Sequence, residues 1–256
     1  MTFLLCAAGL GLAMSFAWLM RMRTGQSGWI DAVWAAATGA AAVAFAAPRD
    51  GRSLFAAALV AFWALRLALH IGWRTRGAGD DPRYAALARE WGGDFPRRLF
   101  LFLQVQAAAS LPLVAAVGLA AGAARPFPDI FDALGLIVAL CGLAVEAVAD
   151  AQLHSFRRRA PRGALCEAGL WRYSRHPNYL GEFLFWCAWP LIGFGDWRGA
   201  AALAAPAFAY LLLDRVSGVP PLEKHLRATR GAAFDDYAAR VPRLFPGLPC
   251  RRSNAP

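Results

Sequence analysis

"MTFLLCAAGLGLAMSFAWLM", residues Met1 to Met20, runs for twenty residues without a charge. Coiled as a helix at ~1.5 Å per residue, such a block reaches across the ~30 Å hydrocarbon core of a bilayer. Backbone groups in lipid must pair within the segment, and the block has no strand-like alternation, so it reads as a helix. The positive charges, Arg21 and Arg23, follow the apolar run rather than precede it. That is the wrong order for a cleaved signal peptide, so the block is expected to be a first span with its N-terminus outside.

Similar blocks recur along the chain. Hydrophobic residues make up 58% of the sequence, where a soluble domain usually holds ~45–50%. The blocks predict an all-α integral membrane protein, a single membrane domain over 1–256. Its seven transmembrane helices fall at roughly 2–20, 28–47, 54–73, 99–123, 130–150, 179–195 and 199–215, with a cytoplasmic tail over 216–256. There is no internal repeat, which argues against a transporter built from two matching halves.

The formal net charge is +10. In a soluble protein that would suggest nucleic acid. Here the charge lies between apolar blocks, so it sets orientation and no nucleic-acid partner is expected. One side holds Arg21, Arg23, the set from Arg74 to Arg98, the set from Arg157 to Arg175, and the tail from Arg215 onward. The other holds only Arg49, Arg52, Arg125 and Arg198, with Asp50, Asp129, Asp132 and Asp196 in loops too short to build a site. The N-terminus is therefore expected outside and the C-terminus in the cytoplasm, with any site opening to the cytoplasm. The cysteines, Cys6, Cys141, Cys166, Cys187 and Cys250, form no CxxC pair and suggest neither a metal site nor a disulfide framework.

An ionisable group within lipid costs ~2.5–3.5 kcal/mol on insertion scales, so it marks function by default. Asp31, Arg66, His70, Glu146, Asp150, Glu182 and Asp214 all fall near the cytoplasmic ends of their spans. In "FWALRLALHIGWRTRG", Trp63, Arg66, His70 and Arg74 form one helical stripe. Glu146, Asp150 and His154 form another at i, i+4 and i+8. Two such stripes of opposite charge fit a binding site and a structural ion-pair network equally well. Asp31 could likewise serve a substrate or pair with Arg66.

The connector "SFRRRAPRGALCEAGLWRYSRHPNYLGE" gathers Arg157, Arg158, Arg159, Arg162, Arg172 and Arg175. Arg158 and Arg159 read as lipid-facing. Tyr173, His176, Asn178 and Tyr179 are interleaved with arginine, and Pro177 stands where the sixth span begins. Arginine beside a helix N-terminus favours phosphate or carboxylate. No GxGxxG or P-loop motif is present, so an anionic cofactor would be held by side chains and helix ends.

"GLWRYSRHPNYLGE", the upstream "EAVAD" and the tail "PPLEKHLRATRGAAFDDYAARVPRLFP" resemble the steroid 5α-reductase family, and most closely its bacterial branch, long catalogued as a membrane domain of unknown function. The resemblance runs well from span 3 to the C-terminus. It implies NADPH bound from the cytoplasmic face of the bacterial inner membrane and a lipophilic substrate entering from the bilayer. It places the cofactor on Asp150, Glu146, Arg157, Asn178 and Glu182, on the Arg66, His70 and Arg74 stripe, and on a tail segment from Glu223 to Tyr237 that closes over the nucleotide. Arg172, His176 and Tyr179 join that cofactor set. Steroid-reducing members hold the ketone with a Gln-Glu pair in an early helix and a Tyr in span 3. Here Asp31 and Trp63 stand nearest those positions.

The reaction so implied is reduction of a conjugated C=C bond, in which charge develops on a carbonyl oxygen. Asp31, Glu182 and His70 are the candidate catalytic groups. RHPxY also occurs in membrane isoprenylcysteine and phospholipid methyltransferases, so an S-adenosylmethionine enzyme is the second reading. A transporter-like bundle is the third.

Overall fold

The computed structural model describes residues 1–76, 80–161, 163–195 and 197–247; Arg162, Asp196 and Cys250, named above, lie outside them. Among the described residues every regular element is helical. In chain order they are α1 (Thr2–Thr24), α2 (Trp29–Ala46), α3 (Gly51–Thr75), α4 (Pro82–Trp91), α5 (Phe95–Ala121), α6 (Ile130–Arg159) and α7 (Pro177–Ile192), then α8 (Trp197–Ala202), α9 (Ala204–Tyr210), α10 (Val219–Arg230) and α11 (Ala232–Arg240). Single turns of 3₁₀ helix precede α5 and α7, and a π-helical turn, Leu211–Val216, follows α9.

Among the described residues six helical runs are long and apolar enough to cross a membrane: 2–24, 29–46, 51–75, 82–121, 130–159 and 197–230. The chain is an all-α, multi-pass membrane protein. The expected sixth span corresponds to α7, which has 16 residues. That gives a length of about 24 Å, short of a full hydrocarbon core. The expected 130–150 span is also longer than its apolar part. As α6, the helix continues through the arginine run to Arg159.

The chain divides into two compact units. Unit 1 comprises residues 1–136 and 188–208. In it α2 packs on α1, α3 and α5, through small faces that include Ala35, Gly39 and Ala42. Gly39 is placed so closely that a Cβ there would lie 2.1 Å from the Ala64 Cβ. Without an apolar driving force between helices in lipid, such close approach is what makes them associate. The α3 start carries a capping box, with Asp50 accepting from the Ser53 N–H. At the second residue of this helix, Arg52 is 3% exposed. Its guanidinium donates to both Asp132 carboxylate oxygens and to the carbonyls of Ala123, Arg125 and Pro126. All five of its N–H donors are satisfied. The loops at this end of the unit hold a buried network rather than loose charge.

Unit 2 comprises residues 137–187 and 209–256. Its frame is the crossing of α6 and α7 at two glycines. A Cβ on Gly181 would lie 2.6 Å from both the Glu146 N and the Gly142 O. One on Gly142 would lie 2.6 Å from the Gly181 O. Backbone therefore meets backbone, as small-residue helix pairs allow. α10 and α11 pack on each other beside the π turn.

Candidate functional site

The α6–α7 crossing decides which polar groups meet in unit 2. Gly181 lies between Asn178 and Glu182 in "HPNYLGE". Docking it on α6 sets Asn178 beside Asp150, and the Asn178 Nδ2 donates to the Asp150 Oδ1 at 3.3 Å. Two residues 28 apart in sequence, each expected at the site, are thus brought together. Glu182 is buried and accepts a 2.8 Å bond from the Trp186 indole one turn on. Glu146 is buried a turn before Asp150. These carboxyls line one end of the crossing.

The connector ahead of α7 is fastened to the tail. Arg175 donates through Nε to Glu223 at 2.8 Å and through Nη1 to the carbonyls of Ala238 and Val241. The His176 Nε2 lies 3.0 Å from the same Glu223 oxygen. An arginine-paired carboxylate accepts, so Nε2 carries the proton and the ring is the Nε2–H tautomer. Burial pushes the His176 pKa below its ordinary value, against the upward pull of Glu223. The Tyr179 ring stacks on it at 5.6 Å. The Tyr237 hydroxyl donates to the Trp171 carbonyl at 2.7 Å, and burial raises its pKa. Ser174 bonds the Leu244 carbonyl. The tail packs on this connector. Glu223, Tyr237 and His176 each have protein partners there.

Arg157 and Arg172 are exposed, the latter against the Tyr173 ring. Arg158 and Arg159, read from sequence as lipid-facing, line a cavity of about 320 Å³ with His154 and Ser155. Carboxamide, carboxylate and several exposed guanidinium groups on one unit are a donor set that suits a nucleotide: cations for its phosphates, hydrogen-bonding groups for its amide and hydroxyls.

Unit 1 holds the remaining expected residues. Arg66 and His70 are half-buried on α3, and Arg74 is exposed at its end. Asp31 is not bonded to Arg66. Its carboxylate accepts from the Arg83 Nη2 and from the Tyr84 hydroxyl at 3.3 Å. Arg83 also grips Asp81, the N-cap of α4. Tyr84 is 3% exposed. Sequence reasoning missed Arg83 and Tyr84 because it took 74–98 as a charged loop. The signal was present in "DDPRYAALAREW": an Asp N-cap, Pro at the first helical position, and an apolar face.

Fold and side chains so far define a polytopic helical membrane protein with several buried carboxyls, Glu146, Glu182 and Glu223 among them. The chain belongs to the family described as "Protein of unknown function (DUF1295)", which matches residues 17–241. No solved structure matches it.

Proposed function

We propose that this protein is an NADPH-dependent membrane reductase acting on a conjugated C=C bond of a lipophilic, steroid- or isoprenoid-like substrate. The observation that carries the reading is the Asn178–Asp150 contact. It joins the two most specific parts of the motif set, "HPNYLGE" and "EAVAD", that resemble the steroid 5α-reductases. The proposal includes seven spans, α7 among them, with the N-terminus outside, in a bacterial cell membrane. The excess of arginine at one set of helix ends supports that orientation.

Bound NADPH would supply the hydride to the substrate β-carbon. The protein's own groups do the rest. Asn178 and Asp150 would orient the nucleotide, and Arg157 and Arg172 would meet its phosphates. On the substrate side the roles sharpen. Asp31 is gripped by Arg83 and accepts from the Tyr84 hydroxyl, so its carboxylate oxygens already have protein partners. Tyr84, whose hydroxyl donates to Asp31, is the better group to hydrogen-bond the carbonyl oxygen as charge develops, by turning its one proton from Asp31 to that oxygen. Asp31 then becomes a positioning residue.

The test is turnover. Purified protein in lipid nanodiscs, given NADPH and a panel of lipophilic enones, should consume NADPH and reduce the C=C bond. Tyr84→Phe should lower kcat while leaving NADPH affinity unchanged. Methyl transfer from S-adenosylmethionine with no NADPH consumption would replace the reductase reading by the methyltransferase one.

A further inference from the structure

The last two turns of α6 carry a feature that the reductase reading does not require. His154, Ser155, Arg158 and Arg159 line a cavity of about 320 Å³. They stand at i, i+1, i+4 and i+5, so they form one continuous patch of helix surface. Among the described residues no carboxylate lies within ion-pair distance of Arg158 or Arg159. Three other arginines of unit 2 are paired: Arg175 with Glu223, Arg227 with Asp235, Arg240 with Glu167. The volume is at the lower end of the range for small-molecule sites. It is ample for a phosphate with an attached sugar or glycerol and small for a whole dinucleotide.

We infer that this cavity is a seat for a phosphate monoester. Two guanidinium groups offer planar, paired donors that match phosphate oxygens. The Ser155 hydroxyl and the His154 imidazole add hydrogen-bonding atoms beside them. The group has two possible sources: the 2′-phosphate that distinguishes NADPH from NADH, or the headgroup of a phosphatidic acid in the surrounding leaflet. The first source rests on the reductase reading; the second does not. The competing role is simple capping, since cations at a helix C-terminus are favoured by its partial negative charge.

The experiment uses the full chain in nanodiscs, with Arg158→Gln/Arg159→Gln together, Ser155→Ala as a milder probe, and Arg97→Gln, exposed on α5, as a control. Affinities for NADPH and NADH are measured, and melting is compared in phosphatidylcholine with and without phosphatidic acid. Loss of two charge-assisted bonds should weaken NADPH about tenfold or more in the double variant, with NADH and the control unchanged. That result assigns the nucleotide phosphate. If the wild type binds neither nucleotide, yet phosphatidic acid raises its melting temperature and the double variant loses that rise, the seat stands with a lipid occupant and the cofactor reading falls. The inference is overturned if the double variant responds like the wild type. It is also overturned if NADPH and NADH weaken equally with no lipid effect, or if the wild type responds to none of the probes. Should the double variant not fold, Ser155→Ala is expected to show the same selectivity with a smaller, roughly severalfold, loss.

Discussion

Arg52 shows what it takes to keep a charge inside this protein. Its guanidinium spends all five N–H donors on Asp132 and three carbonyls. Removing one partner of such a buried pair strands the other, at a cost of ~3–5 kcal/mol. Arg52→Leu is therefore expected to lower the melting temperature far more than Arg49→Leu, which touches a loop residue that is exposed. Similar losses for both would mean the network contributes little. His176 sets a different test. Its buried ring has a lowered pKa, so the unfolded chain binds a proton at a higher pH than the folded one does. Stability should then fall as pH drops below about 6.5, the ordinary imidazole value. The slope of melting temperature against pH in that range should flatten in His176→Gln. Asp150→Ala and Asn178→Ala, which each remove one end of the contact between them, should weaken NADPH by ~1–3 kcal/mol while the chain still folds.

At the scale of elements, the α6–α7 crossing carries the site. A methyl on Gly181 would press on the backbone of Glu146 and Gly142 at 2.6 Å. Backbone cannot yield as a flexible side chain does, so Gly181→Ala should cost ~1–3 kcal/mol or more through overpacking and weaken nucleotide binding with it. Gly9→Ala, where an added Cβ meets nothing within 4 Å, should be neutral or slightly stabilising. Equal effects would show that the crossing is not close-packed. Much of this level was legible in the sequence. Apolar block length marks α1, α2, α3 and α5 to within a few residues, and the i, i+4 stripe already makes Glu146, Asp150 and His154 one helical face. What was not legible follows from the same physics. α6 runs on to Arg159 because arginine is a good helix former once a helix has started, and hydropathy is blind to that. Asp31's partner is Arg83 because Pro82 starts a helix that carries the guanidinium back to α2. That pairing spans 52 residues, and no local spacing encodes it.

Across the whole molecule, the residues expected at one site fall into two units that the fold builds separately. Asp31 and the α3 stripe belong to unit 1; Glu146, Asp150, Asn178 and Glu182 belong to unit 2. Tail residues proposed to cover a nucleotide, Glu223 and Tyr237, are bonded to the connector at Arg175, His176 and Trp171. The tail therefore shapes the wall that presents Asn178, whether or not it touches a ligand itself. Glu223→Gln should loosen that wall, lowering the melting temperature, and weaken nucleotide binding in step. A loss of binding with unchanged stability would instead give Glu223 a direct contact.

The central claim is that unit 2 is built to hold NADPH. The most direct measurement is the melting temperature of the purified full-length protein titrated in parallel with NADPH and S-adenosylmethionine at matched excess. A ligand that binds only the folded state raises it by mass action, with ~2.7 kcal/mol of stabilisation at one hundred times Kd. The account predicts a concentration-dependent rise with NADPH, absent with S-adenosylmethionine and diminished in Asn178→Ala. A rise with S-adenosylmethionine alone would contradict it.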